Sequence, residues 1–172
     1  MVDIVFLDAN VLFSAAYRPD SGLRRLWHLQ GVRLVSSLYA VEEARRNLAD
    51  PPQRDALEVL LTSMTLSAEA PSVDPGLSAT TPPSLPEKDR PSFKAAVATG
   101  ATHLLTGGLR HFGSLFGERV EGVLVLPPGE YLRRRAATDG SGGPAFDSYL
   151  PCQRGLRFSR KACTPSRKSA LR

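Results

Sequence analysis

A chain of 172 residues, 42% of them apolar, is long enough for one domain with a substantial hydrophobic core and too short for two. Residues 1–135 carry 15 basic and 15 acidic side chains, so the net charge of +5 comes entirely from residues 136–172, and the basic character of the chain is no evidence that the folded domain binds nucleic acid. The sequence shows no apolar run of about 18 residues and no export leader, which argues against a membrane protein and predicts a cytoplasmic one.

Short apolar segments alternate with helical patterns along most of the chain. Before the long loop, the patterns predict a strand at residues 3–7, helices at 10–18 and 21–31, a strand at 32–37, helices at 38–50 and 53–63, and a weakly marked strand at 64–67. After the loop, they predict a helix at 89–100, a strand at 102–108, a short helix or turn at 109–117, a strand at 120–128 and a helix at 129–137. In the helix after the second strand, Leu38, Val41 and Leu48 are expected to face the core. The alternation predicts a parallel sheet covered by helices on both faces, a three-layer α/β/α sandwich.

Two segments lack a helical or strand period. Residues 70–86 are rich in Pro, Ser and Thr and predict a loop. Residues 136–172 are predicted to form a basic, mostly disordered tail, so that the folded domain is expected to cover residues 1–135. The two cysteines of the chain, Cys152 and Cys163, lie in this tail and are expected to stay reduced.

Acidic side chains fall at the predicted C-terminal edge of the sheet. Asp8 follows the first strand, Glu42 and Glu43 lie in the helix after the second strand, and Asp89 starts the helix after the long loop. Active sites gather at this edge in open parallel sheets. Converging carboxylates would repel each other unless a cation neutralised them, and Mg²⁺ or Mn²⁺ suits oxygen ligands. The pattern therefore favours a metal-dependent site.

Each acid also has a purely structural explanation. Asp8 or Asn10 could cap the helix that follows the first strand, because short polar side chains accept hydrogen bonds from the free N–H groups of a first turn. Asp89 could cap its helix in the same way. Glu42 and Glu43 could lie on a solvated helix face, and this explanation suits Glu42 better than Glu43.

Three blocks of the sequence together resemble a PIN-domain ribonuclease, and most closely the VapC-like toxins of bacterial toxin–antitoxin pairs. The blocks are "FLDANVLFSA", "SLYAVEEARRNL" and "LPEKDRPSFKAAVATGATHLLTGGLRHFG". The resemblance covers about residues 3–135, and the last block is its most specific part. It implies an α/β/α fold and Mg²⁺-dependent hydrolysis of RNA phosphodiester bonds, with Mn²⁺ as a possible substitute. It also implies an antitoxin partner and often a homodimer.

The resemblance assigns roles to individual residues. Asp8, Glu43 and Asp89 would be the catalytic, metal-binding acids. Asn10 matches a polar position that helps to orient the first acid, and Thr106 matches a hydroxyl position beside the site. Near the site, Arg110 could grip an RNA phosphate. His111 could contact phosphate or a metal-bound water, but the explanation as an ordinary surface histidine is favoured.

The sequence departs from the family pattern at position 108. Many family members have an acid after the "TG" of the fourth strand, where it completes a cluster of four carboxylates, and here Gly108 stands in that place. Three acids can still hold one Mg²⁺, because that ion keeps several of its waters. A second metal would be held more weakly, so activity could be low or depend on Mn²⁺.

Other functions remain alternatives. The same fold could be a degenerate PIN domain that binds RNA or a partner without efficient catalysis. A phosphatase with Asp8 as nucleophile would usually need a second Asp two residues on, where Asn10 stands. A dinucleotide-binding domain would need a glycine-rich turn after the first strand, which "DANVLF" lacks. Cleavage of DNA is less favoured, because the domain is neutral and has no helical arch insertion.

Overall fold

The structure is a computed structural model, and it describes residues 2–68 and 85–138. Its strands are β1 Asp3–Leu7, β2 Val32–Ser37, β3 Thr65–Ser67, β4 His103–Leu105, β5 Arg119–Val120 and β6 Val123–Leu126. Its α-helices are α1 Ala9–Tyr17, α2 Leu38–Asn47, α3 Pro51–Leu61, α4 Arg90–Ala98, α5 Leu109–Phe112 and α6 Pro128–Thr138. Three 3₁₀-helices join them at Gly22–His28, Glu87–Asp89 and Gly113–Leu115. Within these residues, no helix is both long enough and apolar enough to cross a bilayer.

The six strands of the described residues form one sheet in the order β3-β2-β1-β4-β6-β5. Neighbouring strands are parallel except β5 and β6, which pair antiparallel. The protein is thus an α/β protein with a mostly parallel sheet. Short apolar runs without polar alternation are typical of strands buried on both faces, and β1 is such a run.

The predicted strand at residues 120–128 is in fact a hairpin. Glu121 and Gly122 have φ angles of 50° and 83° and turn the chain between Val120 and Val123. Positive φ at both central residues is typical of the tight turns that join antiparallel strands. The prediction of a single strand was therefore wrong in its first residues, whereas the weakly marked strand near residue 65 is confirmed as β3.

Alternate residues of β1 enter two different hydrophobic clusters. Val5 and Leu7 pack with residues of α1, α2, α3 and α6, whereas Phe6 packs with residues of α4, α5 and β6. Successive side chains of a strand point to opposite faces of the sheet. Apolar helix residues therefore cover both faces of β1.

The buried face of α2 differs from the predicted one at its first residue. Val41 and Leu48 are buried as expected, but Leu38 is 48% exposed. Ala40 and Ala44 are fully buried instead. Leu38 lies two residues before Ala40, about 160° around the helix from it, so its side chain points away from the face that the two alanines define, and this prediction was wrong.

The last helix ends close to its predicted boundary. Helix α6 continues to Thr138, one residue beyond the predicted end at residue 137. The predicted loop is described only at residues 85 and 86, and the rest of it lies outside the described residues. The predicted tail from residue 139 onward, with Cys152 and Cys163, also lies outside them.

The topology marks one crevice between strands as special. From β1 the chain runs outward to β2 and β3 on one side, and β4 then joins β1 on the other side. In open α/β sheets, ligands bind beyond the carboxyl ends of the strands where this winding direction reverses. That point lies between the ends of β1 and β4, which are followed by Asp8 and Thr106.

Candidate active site

Asp8 is a buried carboxylate at the end of the central strand. It is 6% exposed and occupies the N-cap position of α1, where its backbone carbonyl accepts hydrogen bonds from Val11 and Leu12. Its side chain makes no capping bond. The side-chain capping explanation for Asp8 is therefore wrong.

Three side chains donate hydrogen bonds to the carboxylate of Asp8. Asn10 Nδ2 and Thr106 Oγ1 donate to Oδ2 at 2.6 and 2.8 Å, and Ser92 Oγ donates to Oδ1 at 2.8 Å. Thr106 is fully buried and Ser92 is 3% exposed. Hydrogen bonds to a charged carboxylate are stronger than bonds between neutral groups. The donors come from α1, α4 and the end of β4, so three elements together fix this one side chain.

Asn10 joins Asp8 to the loop after β4. Besides Asp8, its Nδ2 contacts Thr106 Oγ1 at 3.0 Å, and its Oδ1 accepts from the backbone N–H of Gly107 at 2.7 Å. The N–H of Gly108 in turn donates to Thr106 Oγ1 at 3.1 Å. The side chain of Asn10 is thus engaged in the site and not in a helix cap. The structure brings Asn10 and Thr106 into direct contact with Asp8.

Asp89 pairs with His111 beside this network. Its Oδ2 lies 3.0 Å from His111 Nδ1, and the two side chains are 20% and 25% exposed. Asp89 holds the N-cap position of α4 but makes no side-chain capping bond, so the capping explanation is wrong for Asp89 as well. Asp89 precedes Ser92 by three residues, or about one helical turn. Arg110, next to His111, is exposed.

The two glutamates of α2 have different surroundings. Glu42 forms an ion pair with Arg45, which also binds Glu58 of α3 at 2.7 Å. The hydrogen bonds that Arg45 donates to Glu58 are the main cause of the raised pKa of Arg45. Glu43 is exposed, and its carbonyl oxygen accepts from Asn47 at 2.9 Å. Arg45 therefore links α2 to α3 at the surface, and Glu42 pairs with it from within α2.

The three predicted metal-binding acids do not form one compact cluster. Among residues 2–68 and 85–138, no group of three or more His, Cys, Asp and Glu side chains is arranged to hold a metal ion. Asp8 is bonded to Ser92 of α4 and Asp89 is the N-cap residue of the same helix, whereas Glu43 lies on the surface of α2. The metal-binding roles of these acids stay predictions.

No family model, curated protein or solved structure matches this chain. The assignment of function therefore depends on the sequence blocks quoted above and on the geometry of the site.

Ser92 is the site residue that the sequence analysis missed. A serine in the first turn of a helix is an ordinary surface or capping residue by its sequence signal alone. Its spacing of three residues from Asp89 offered one indication, because that spacing places two side chains on the same side of a helix. The backbone N–H of Gly107 was also missed, and no side-chain pattern could have indicated it.

Gly108 lies against the same network. A Cβ atom at this position would lie 3.3 Å from Thr106 Oγ1, 3.4 Å from Phe112 Cδ2 and 3.9 Å from Asn10 Nδ2. A side chain at position 108 would therefore contact Thr106, which itself donates a hydrogen bond to Asp8. The glycine leaves this side of the site without an acid.

Proposed function

We propose that this protein is a Mg²⁺-dependent endoribonuclease of the PIN-domain toxin type, built on a three-layer α/β/α sandwich. The observation that carries the proposal is the buried carboxylate of Asp8 at the reversal point of the sheet, with both oxygens fixed by side chains from three elements. A carboxylate that only stabilised the fold would not need to lie at the edge where ligands bind. The sequence resemblance points to the same residue.

The donor set suits a hard cation. Proteins bind Mg²⁺ through one or two carboxylates, while water and substrate phosphates supply the other oxygens. Asp8 and Asp89 would hold the ion, and Glu43 would contribute from α2, directly or through water. When bound, Mg²⁺ supplies a nucleophilic water of lowered pKa and stabilises negative charge on the phosphate.

The remaining residues of the site would orient these acids and the substrate. Asn10 and Thr106 hold Oδ2 of Asp8 in place, so the carboxylate does not have to reorganise when a ligand binds. Arg110 is exposed beside the site and would contact a phosphate of RNA. His111, paired with Asp89, would contact the phosphate with its other ring nitrogen.

Exposed apolar side chains near this edge support a macromolecular partner. Leu38 and Tyr39 begin α2 directly after β2, and Leu109 begins α5 after β4; they are 48%, 41% and 51% exposed. Apolar side chains that together form a contiguous exposed patch are typical of interaction surfaces, and we place such a surface at these three residues. The resemblance implies RNA as substrate, an antitoxin as inhibitor and often a homodimer as the assembly.

A second candidate function is a degenerate PIN domain that binds RNA or a partner without efficient catalysis. Gly108 favours it, because the acid that many family members have at this position is missing. The exposed position of Glu43 favours it too, since only two of the three predicted acids, Asp8 and Asp89, would then remain to hold a metal.

Cleavage of a mixed single-stranded RNA tests the proposal. We expect purified protein to cut RNA with Mg²⁺ or Mn²⁺ and to stop when EDTA is added. Asp8→Asn should abolish cutting, because the amide keeps the shape of the side chain but lacks its charge. Asp20→Asn is the matched control, since Asp20 is exposed and pairs only with Arg18 among the described residues.

The outcomes separate the two candidate functions. Cutting that persists in Asp8→Asn would place the activity in another site or in a contaminant. A folded wild-type protein that binds RNA but cuts with neither metal would favour the degenerate domain. Comparing Asp89→Asn with Glu43→Gln then shows whether the exposed glutamate contributes.

A further inference from the structure

Ser92 is a buried hydroxyl in a helix face that is otherwise apolar. Its neighbours Phe93, Ala95 and Ala96 are buried in the hydrophobic cluster that contains Phe6 of β1. A buried hydroxyl is unfavourable unless it makes a hydrogen bond. Ser92 makes that bond to Asp8 Oδ1 at 2.8 Å, and it is only 3% exposed. Its contact with Asp8 accounts for the presence of a hydroxyl at this position.

The two oxygens of Asp8 have unequal numbers of donors. Among the described residues, Oδ2 accepts two side-chain hydrogen bonds, from Asn10 and Thr106, whereas Oδ1 accepts one, from Ser92. Each oxygen of an ionised carboxylate has about two acceptor positions. Oδ2 is therefore filled, and Oδ1 retains one position that a cation can use.

Ser92 also connects Asp8 to the element that carries Asp89. Asp89 holds the N-cap position of α4, three residues before Ser92. The contact between Ser92 and Asp8 spans 84 residues of sequence and joins the first turn of α4 to the end of β1. It therefore limits how far α4, and Asp89 with it, can move from Asp8.

We propose that Ser92 is a positioning residue of this site. Its hydroxyl fixes the plane of the Asp8 carboxylate and the separation of Asp8 from Asp89, so that Oδ1 is held in the orientation that binds a divalent cation. The inference rests on the proposed function, because it assumes that a cation binds at Asp8. It assigns to Ser92 a role in cation affinity that its place in the core does not require.

Binding of Mn²⁺ to the full chain without RNA, followed by electron paramagnetic resonance, tests this role. Ser92→Ala removes only the hydroxyl oxygen and should weaken Mn²⁺ binding by about tenfold, the usual effect of losing a residue that orients a metal ligand. Ser92→Thr keeps a hydroxyl and should retain most of the affinity. Thr99→Ala is the matched control, because it removes a hydroxyl from the end of the same helix, where Thr99 binds only the backbone of Ala95 and Ala96 among the described residues.

A crystal structure of the Ser92→Ala variant shows the orientation of the Asp8 carboxylate whether or not a cation binds there. It therefore tests the positioning role of Ser92 separately from the proposed function. Unchanged Mn²⁺ affinity in Ser92→Ala, with or without a lower melting temperature, would overturn the positioning role. Wild-type protein whose Mn²⁺ binding does not depend on Asp8 would overturn the metal site of the proposed function. In that case the crystal structure decides about Ser92: a rotated Asp8 carboxylate supports positioning, and an unmoved one refutes it.

Discussion

At the scale of single residues, Gly108 is the position at which the candidate site lacks the fourth carboxylate of the family pattern. Gly108 has a φ angle of −74°, so an L-residue fits its backbone without strain. Its Cβ position is tight against Thr106 Oγ1 and Phe112 Cδ2, at 3.3 and 3.4 Å, and these neighbours would have to shift by a few tenths of an ångström.

We expect Gly108→Asp to strengthen Mn²⁺ binding by about tenfold, because added carboxylate ligands raise the affinity of a site for a divalent cation. Titration of Mn²⁺ into the wild type and the variant measures the change. Gly108→Asn has nearly the same shape without the charge and is the control. Equal affinities of the Asp and Asn variants would show that position 108 lies too far from the cation to matter.

At the scale of elements, α3 shows how burial divides the residues of one helix. Leu57 is fully buried in the hydrophobic cluster that contains Val5 and Leu7 of β1. Val59, two residues further along the chain, is 68% exposed. In a helix, residues two apart do not share a face. The two positions therefore contribute very differently to stability.

We expect Leu57→Ala to lower the free energy of unfolding by about 2–5 kcal/mol, since it removes buried methyl groups and leaves a cavity. Val59→Ala in the same helix should change it by no more than about 0.5 kcal/mol. Urea unfolding followed by circular dichroism measures both. Similar losses in the two variants would contradict the burial of Leu57 and the exposure of Val59.

At the scale of the whole molecule, a histidine within the sheet makes stability depend on pH. His103 of β4 packs edge-on against Tyr131 of α6 with ring centroids 5.0 Å apart. Burial lowers the pKa of His103 below its usual 6.5, in opposition to the nearby carboxylate of Asp3. The folded state therefore favours the neutral ring, and below pH 6.5 the unfolded state binds this proton more readily.

Stability from this group is complete above about pH 6.5 and falls as the pH drops toward the lowered pKa of the folded state. Unfolding free energies of the wild type between pH 5 and pH 7.5 should show this decline. His103→Gln should make the decline shallower, because glutamine does not titrate. An identical slope in both proteins would assign the pH dependence to other groups.

The sequence predicted most elements because their signals are local. Proline and glycine ended the helices near their predicted positions, and apolar runs predicted the strands. The segment at residues 21–31 forms a 3₁₀-helix over Gly22–His28 and not a longer α-helix. The hairpin of β5 and β6 was missed because its strands are two and four residues long and show no clear alternation.

For the candidate site, the sequence determined which residue types stand at the ends of the strands: Asp8 and Asn10 after β1, and Thr106 after β4. A parallel sheet brings these strand ends to one edge, so their proximity follows from the order of the elements. Only the tertiary structure decided the contact of Ser92 with Asp8, the pairing of Asp89 with His111, and the exposure of Glu43 and Leu38. These contacts depend on how each helix is rotated about its axis when it packs against its neighbours. The side-chain volumes at the packing face, such as those of Ala40 and Ala44 in α2, set that rotation, and no local sequence pattern encodes it.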